Sequence, residues 1–325
     1  IYMGILLSTS IGLLLFGVLL TYHVAGTLSF IQGGILAGHA TPLMTGVLLF
    51  LYAYGTGKAA LMPIHRWLPN AMVAPTPVSA LLHAVAVVKT GVFTIVKVVV
   101  YIFGIDHLSS TGFHIYLAYI AGGTIILSSL VAMQQDNLKA RLAYSTISQL
   151  SYIVLGAALA NAHGILGAGL HIAMHAFGKI TLFFCAGAIM VALHKTEISD
   201  MRGIGRQMPF TMAAFVIGSL SIIGVPPLGG SWSKWYLALG AADTSHLLLV
   251  GVLMLSSLLN IAYLLPIPAR AFFSKATGDN GHHGEGLHEA PLFCLIPLCL
   301  TALGCVFLFF FTDPIYQLLA PIVQP

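Results

Sequence analysis

The sequence carries very little charge. Of its 325 residues, 13 are Lys or Arg and 9 are Asp or Glu, together 7% of the chain, whereas a soluble domain has about 25%. So few charged groups could not cover a surface that faces water, and 58% of the residues are hydrophobic. The chain is therefore predicted to be an integral membrane protein. Its net charge of +4 is spread thinly, without the Lys/Arg cluster that nucleic-acid binding needs.

Motifs for metal or haem binding are also missing. The four cysteines lie in apolar runs without a C-x-x-C or Cys/His zinc spacing, which predicts buried thiols: Cys185, Cys294, Cys299 and Cys305. The loop at 278–290 contains His282, His283 and His288, but Gly-rich, His-rich loops are usually solvated. We expect no metal and no cofactor. The 14 histidines leave a haem-binding electron-transfer protein as the alternative function, although no repeated intrahelical His pair suits haem ligation.

Long apolar runs dominate the rest of the chain. A helix that crosses the hydrocarbon core needs roughly 20 residues, and nine runs qualify, near 2–23, 42–65, 78–103, 113–133, 141–160, 163–192, 209–240, 245–269 and 291–312. They are continuous and lack the alternation of a membrane β-barrel. The sequence predicts an all-α polytopic bundle of about nine transmembrane helices.

Prolines interrupt two of these runs. Pro63 falls in the second run, and GVPPLGG, with Pro226 and Pro227, falls in the seventh. Each proline removes a backbone donor and clashes with the preceding turn. We expect two discontinuous helices, a feature typical of transporters built from repeats; a simple proline kink is the alternative.

The basic residues outside the runs indicate the orientation. Eight lie in or beside loops on one side of the predicted bundle: Arg66, Lys139, Arg141, Lys195, Arg202, Arg206, Arg270 and Lys275. The loops on the other side carry none. By the positive-inside rule the chain starts in the cytoplasm and ends outside.

Five lysines remain within the spans: Lys58, Lys89, Lys97, Lys179 and Lys234. A lysine at a helix centre costs about 2.5 to 3.5 kcal/mol, and all nine acids lie outside the spans. These lysines should therefore face a hydrated interior, lose their protons or find partners. Lys97 could instead reach the membrane interface.

Histidines and hydroxyls extend this set. His171, His175 and Lys179 recur every four residues and so share one helix face, an arrangement that favours proton transfer because histidine titrates near neutral pH. His83 lies on the third span, and the fifth span carries Ser145, Ser148 and Tyr152. Structural hydrogen bonding between helices is the alternative role for the histidines and hydroxyls.

Five segments of the sequence are informative together: KAALMPIHRWLPNAMVAPTPVSALLHAVAVVKTGVF at 58–93, LKARLAYSTISQLSYIVLG at 138–156, LHIAMHAFGKITLFFCAGAI at 170–189, DMRGIGRQMP at 200–209 and LSIIGVPPLGGSWSKWYL at 220–237. In this order they resemble the antiporter-like subunits of respiratory complex I, membrane-bound hydrogenases and Mrp-type sodium/proton antiporters, most closely the Mrp D-type and middle complex I subunits. Such subunits usually have about fourteen transmembrane helices in two inverted repeats. The resemblance implies that residues 1–103 are the remainder of the first repeat, 113–272 the second, and 290–325 a C-terminal helix and tail.

The resemblance also implies a function and partners. The relay residues would be Lys58, Lys89, His171, His175, Lys179 and Lys234, with Lys58 paired to a Glu on a helix that precedes residue 1 or lies on a separate chain. Forming or breaking that ion pair would gate proton transfer electrostatically. We expect a proton-translocating subunit, with sodium as a possible second ion, in the inner membrane of a prokaryote. Its partners would be lipid and other membrane subunits, including another antiporter-like one. A purely structural spacer is disfavoured because it would use Leu rather than buried lysines.

Overall fold

The computed structural model describes residues 2–81, 85–274 and 287–323. Within these ranges the chain is helical, with short turns and one isolated β-bridge between Asn137 and Glu197. Each of the nine predicted apolar runs is helical over most of its described length. The prediction of an all-α membrane bundle is confirmed.

The first two runs form helices that touch backbone to backbone. Helix α1 spans Tyr2–Ala25, with a π-helical stretch at Ser8–Leu14, and helix α2 spans Pro42–Gly55. A Cβ on Gly55 would lie 2.5 Å from the backbone nitrogen of Leu14. Only glycine permits this approach at the end of α2.

Helix α2 is followed by a broken segment. A 3₁₀ turn at Gly57–Ala59 and another at Ile64–Arg66 lead to a short helix α3, Trp67–Asn70, and a third turn at Ala71–Val73. The predicted discontinuity is confirmed, but the helix ends at Gly55 rather than at Pro63. It ends early because Thr56 leaves the helical conformation, with φ −80° and ψ 61°.

The third run was predicted to be one unbroken span over 78–103, and the structure differs from this prediction. Its described helices are α4, Thr76–Ala80, and α5, Val87–Phe103, which ends in a π-helical turn. The Ala86 amide donates to the carbonyl of Leu81, five residues back instead of four. Gly104, at φ 80°, then turns the chain by 85° into α6, Ile105–Thr111.

Three long helices fill the middle of the bundle: α7, His114–Gln134, α8, Leu138–Ala158, and α9, Ala162–Leu193. Asparagine caps start the second and third, because Oδ1 of Asn137 accepts from Ala140 N and Oδ1 of Asn161 accepts from Gly164 N. Helix α8 is buried on nearly every side although it carries Ser, Thr, Gln and Tyr side chains. The bundle therefore has a polar helix at its centre.

The seventh run is broken as predicted, into α10, Pro209–Ile223, and α11, Gly230–Asp243. The remaining helices are α12, Leu247–Leu264, α13, Pro266–Phe273, α14, Leu292–Phe310, and α15, Asp313–Val323. By length and hydropathy alone, five helical segments in the described ranges could cross a membrane, or six if the 85° bent pair counts as one span. The number of predicted runs, nine, is larger because a broken run divides into two helices that are each too short to cross, and because α8 is comparatively polar.

The cysteines differ in part from the prediction of four buried thiols. Cys185 and Cys305 are buried, whereas Cys294 and Cys299 on α14 are only partly buried. Helix α14 exposes a wide apolar face, which includes Phe293, Ile296 and Leu300, so a cysteine near the edge of that face stays partly accessible.

Candidate functional site

A line of buried polar side chains connects α5, α9 and α11. The Lys89 ammonium, on α5, makes a hydrogen bond with Nδ1 of His175 on α9. The His175 ring stacks on His171, one turn earlier, with ring centroids 5.7 Å apart. Nδ1 of His171 lies 2.8 Å from Oγ of Ser233 on α11. The structure thus brings Lys89, His175 and His171 together, as the sequence predicted, and adds Ser233.

Lys179 starts a second branch from the same face of α9. Its side chain is fully buried, and its ammonium donates to Oγ of Ser145 at 2.6 Å and to the Leu142 carbonyl at 3.3 Å. Oγ of Ser145 lies 2.8 Å from the hydroxyl of Tyr263. That hydroxyl in turn donates to Oδ1 of Asn260 at 2.5 Å. Ser145, which was predicted to support the relay, therefore links Lys179 to α12.

Lys234 lies beside the break between α10 and α11. Its ammonium donates to the carbonyl of Ile223 at 2.9 Å and to Oγ of Ser257 at 3.2 Å. It also lies 5.0 Å from the ring centroid of Tyr152, and Tyr152 stacks on His171 with centroids 5.5 Å apart. Tyr152 therefore joins Lys234 to the histidine pair.

Several buried polar atoms in this region have no partner among the described residues. They are Nε2 of His171, Nε2 of His175 and both polar atoms of the Gln149 amide. Buried polar atoms are normally hydrogen-bonded. Each Nε2 atom can donate or accept a hydrogen bond, depending on the tautomer of its ring.

Lys58 is not part of this line. Its turn packs against α5, where a Cβ on Gly91 would lie 2.6 Å from the Lys58 carbonyl carbon. The Lys58 side chain, however, is exposed on the surface of the described chain, where no hydrogen-bond partner is found for it. The turn therefore aims the Lys58 side chain outward, and the pairing of Lys58 with a Glu from outside this chain stays a prediction.

The other predicted residues separate into distinct roles. Oγ of Ser148 lies 3.0 Å from Oγ of Ser129 and donates to Ile125 O, so it joins α8 to α7 and does not contact the lysines. Lys97 lies 4.0 Å above the ring of Phe30, away from the line. Pro63, Pro226 and Pro227 all lie in the two breaks. His83, like His282 and His283, lies outside the described residues.

Sequence reasoning missed four members of the network: Ser233, Ser257, Asn260 and Tyr263. Ser257, Asn260 and Tyr263 recur every three residues on the mostly apolar α12, which places neighbouring members on one helix face. That spacing was the available signal. Across the residues that the structure describes, no group of three or more His, Cys, Asp or Glu side chains could hold a metal ion.

A family model with the description "NADH:quinone oxidoreductase/Mrp antiporter, TM" matches residues 1–260. The chain belongs to this family. Among curated members, subunit N of NADH-quinone oxidoreductase from Desulforudis audaxviator is 34% identical over 323 residues, covering 95% of this chain and 63% of that protein. Subunit L of NADH-quinone oxidoreductase from Mycobacterium tuberculosis is 35% identical over 300 residues, covering 90% of this chain and 45% of that protein.

Solved structures of the family share the fold. A chain of the Mrp complex from Dietzia sp. DQ12-45-1b superposes with a TM-score of 0.84 at 23% identity, covering 99% of this chain and 66% of that one. A chain of the archaeal membrane-bound sulfane sulfur reductase gives 0.81 at 26% identity, covering 96% and 63%. The present chain thus spans about half to two thirds of the length of these family members. None of these matches supports the haem alternative.

Proposed function

We propose that this chain is a proton-translocating subunit of a multisubunit membrane complex. The observation that carries the proposal is the line of contacts from Lys89 through His175 and His171 to Ser233, the neighbour of Lys234. An apolar bundle gains nothing structurally from buried lysines, each of which costs about 2.5 to 3.5 kcal/mol at a helix centre. Proton transfer gives these costly groups a use.

Electrostatic repulsion would move a proton along the line. Two like charges 4 Å apart repel by roughly 4 kcal/mol at an effective dielectric constant of about 20. Lys89 and His175 are in direct contact, so both cannot carry a charge without that cost. Protonation of Lys89 therefore favours release of a proton from the histidine pair towards Lys234. Tyr152 stacks on His171 and contacts Lys234 through its ring, so it keeps these two groups close to each other.

The branch at Lys179 would supply access from the end of the bundle near Arg141, which we call the basic end because the eight cations outside the predicted spans are assigned to that side. The carbonyl of Tyr263 accepts a hydrogen bond from Nη1 of Arg141 at 3.1 Å, and Arg141 lies in the first turn of α8. Ser145, Tyr263 and Asn260 form hydroxyl and amide contacts between that end and Lys179. Hydroxyls both donate and accept, which a proton route requires.

The exposed Lys58 supports a partner outside the described chain. A cation at a protein surface within a membrane needs an opposing charge or water, and we propose a carboxylate from other polypeptide. Further partners would be other membrane subunits, including another antiporter-like one, and lipid; protons and possibly sodium would be the transported ions. In this proposal residues 1–103 belong to a first repeat and 113–272 to a second, with 290–325 as a C-terminal helix and tail. We place the protein in a prokaryotic inner membrane, with its basic end and its first residue cytoplasmic and its C-terminus outside.

The test uses two lysines on the same helix. In vesicles that contain the intact complex, Lys89→Gln should abolish proton flux, because the substitution removes the titratable group that contacts His175. The matched control Lys97→Gln, two turns further along α5, should leave the flux unchanged, because Lys97 contacts Phe30 instead. Equal flux in both variants and the parent would reject the proposal.

A further inference from the structure

A large cavity opens beside Lys139 and Lys195 at the basic end of the bundle, and none of the lysines and histidines of the proton line contributes to its lining. Its volume is about 640 Å³, and it lies between the turn before α4, the last turns of α9 and the start of α14, with the first residues of α8 at its edge. Phe183 and Phe184 of α9 and Pro297 of α14 line it. Its wall is therefore mostly apolar.

Two lysines lie at this cavity. Lys139 is in the first turn of α8, and its ammonium donates to the carbonyl of Ala74 at 2.8 Å. Lys195 follows the end of α9, and its ammonium donates to the carbonyl of Asp200 at 2.7 Å. Both contacts are to neutral carbonyls. Within the described ranges the single ion pair joins His163 and Asp243. Neither lysine is therefore neutralised there by a carboxylate.

The outer rim of the cavity is apolar and accessible. Val73 and Phe293 are each 92% exposed, and Val191 is 52% exposed. All three line the cavity. Such side chains are stable at the surface of a membrane protein only against lipid or another polypeptide, so the rim of the cavity faces one of these.

We propose that this cavity binds an anionic phospholipid, with its phosphate at Lys139 and Lys195 and an acyl chain along Phe183, Phe184 and Pro297. Basic pockets between transmembrane helices on the cytoplasmic side suit acidic lipid headgroups. A soluble anion would leave the apolar wall without a partner. A lipid without net charge would leave the two lysines without an opposing charge. A lipid that binds only to the outer surface of the bundle would need no cavity.

Binding to the purified intact complex tests the proposal. After delipidation, native mass spectrometry would titrate the complex with dioleoyl phosphatidylglycerol, with dioleoyl phosphatidylcholine and with glycerol 3-phosphate. We expect selective retention of the phosphatidylglycerol. The double variant Lys139→Gln with Lys195→Gln should bind it about 30-fold more weakly, as expected for the loss of two cations beside an anionic headgroup. Glutamine replaces the ammonium by a neutral amide that still offers an N–H donor to the Ala74 carbonyl, which limits the effect of the substitution on the fold.

The matched control removes two other cations at the same end of the chain. Arg202 and Arg206 are exposed and do not line the cavity, so Arg202→Gln with Arg206→Gln should bind phosphatidylglycerol like the parent. Equal weakening in both double variants would overturn the proposal, since it would indicate a general charge effect. Equal retention of phosphatidylcholine, or tight binding of glycerol 3-phosphate alone, would also overturn it.

A second measurement locates the acyl chain. In the Val191→Trp variant, phosphatidylglycerol with brominated acyl chains should quench the added tryptophan fluorescence more strongly than brominated phosphatidylcholine. Absence of this selective quenching, together with a cross-link from Val191→Cys to another polypeptide, would assign the cavity to a protein segment instead. Neither readout measures proton flux. The proposed lipid site can therefore be rejected while the proposed function stands, and the proposed function can be rejected while the lipid site stands.

Discussion

The carbonyl oxygen of Ile223 accepts a hydrogen bond of 2.9 Å from the ammonium of Lys234, eleven residues later in the chain. In an unbroken α-helix that carbonyl would accept from the amide of residue 227, but residue 227 is Pro and has no N–H. The break thus frees an acceptor, and a lysine occupies it. A proton-carrying group is held by the same feature that interrupts the helix.

The Lys234 ammonium has two hydrogen-bond acceptors, Oγ of Ser257 and the carbonyl of Ile223. Ser257→Ala removes the first and leaves the second. Hydrogen bonds to charged groups contribute about 1.5 to 3 kcal/mol, so we expect slower proton flux with assembly retained. Flux in vesicles of the complex measures this. Ser151→Ala is the control, because Oγ of Ser151 donates to the carbonyl of Ile147 within its own helix; an identical effect of both variants would argue against a specific role for Ser257.

Tyr263→Phe keeps the buried ring but removes the hydroxyl between Ser145 and Asn260. We expect proton flux to fall by about tenfold, because the branch from Lys179 loses a group that both donates and accepts. The melting temperature should fall only modestly, since a neutral hydrogen bond is worth about 1 kcal/mol. Tyr52→Phe, which removes a hydroxyl bonded to Thr21 outside the network, should lower stability to a similar degree without slowing flux. Normal flux in Tyr263→Phe would remove this branch from the pathway.

Gly91→Ala tests how closely the Lys58 turn packs on α5. The added methyl would lie 2.6 Å from the carbonyl carbon of Lys58 and 2.7 Å from the amide of Ala59, so the turn must move, at a cost of about 1 to 3 kcal/mol. Gly123→Ala on α7 is the control, because nothing lies within 4 Å of its added Cβ. Melting of the purified complex should show a lower midpoint for Gly91→Ala alone. The packing is refuted if both variants melt like the parent.

Lys58 should meet a carboxylate in the complete assembly. Its exposed side chain points away from the described chain, and an ion pair across a subunit or helix boundary would stabilise the charge there. A high-resolution structure of the whole complex would show an Asp or Glu oxygen within about 4 Å of the Lys58 ammonium. A Lys58 ammonium that faces only acyl chains, with no acid nearby, would contradict the pairing.

The sequence predicted the fold class and much of the site because each rests on a local signal. Apolar runs identified the helices, proline clusters identified the two breaks, and the four-residue spacing of His171, His175 and Lys179 placed these residues on one helix face, where the structure finds them. Burial of a cation is costly enough that a lysine in an apolar run is conspicuous by itself.

The rest depended on tertiary contacts. Nothing in the local sequence states that α2 ends at Gly55, where the helix lies in close contact with Leu14 of α1. The outward direction of Lys58 is set by how its turn packs on Gly91, and the pairing of Lys179 with Ser145 depends on the register of α9 against α8. Tyr263 and Asn260 were overlooked because a tyrosine and an asparagine in an apolar helix are common without function.

Proton flux through Lys58→Ala and Lys234→Ala variants tests the central claim most directly. Both complexes should assemble, because removing a charge from within the membrane relieves a solvation cost, and assembly can be verified by subunit composition after purification. In vesicles with a pH-sensitive dye inside, each variant should show no proton uptake above vesicles without protein, whereas Lys97→Ala should match the parent. Uptake at the parental rate in both Lys58→Ala and Lys234→Ala would contradict the lysine relay.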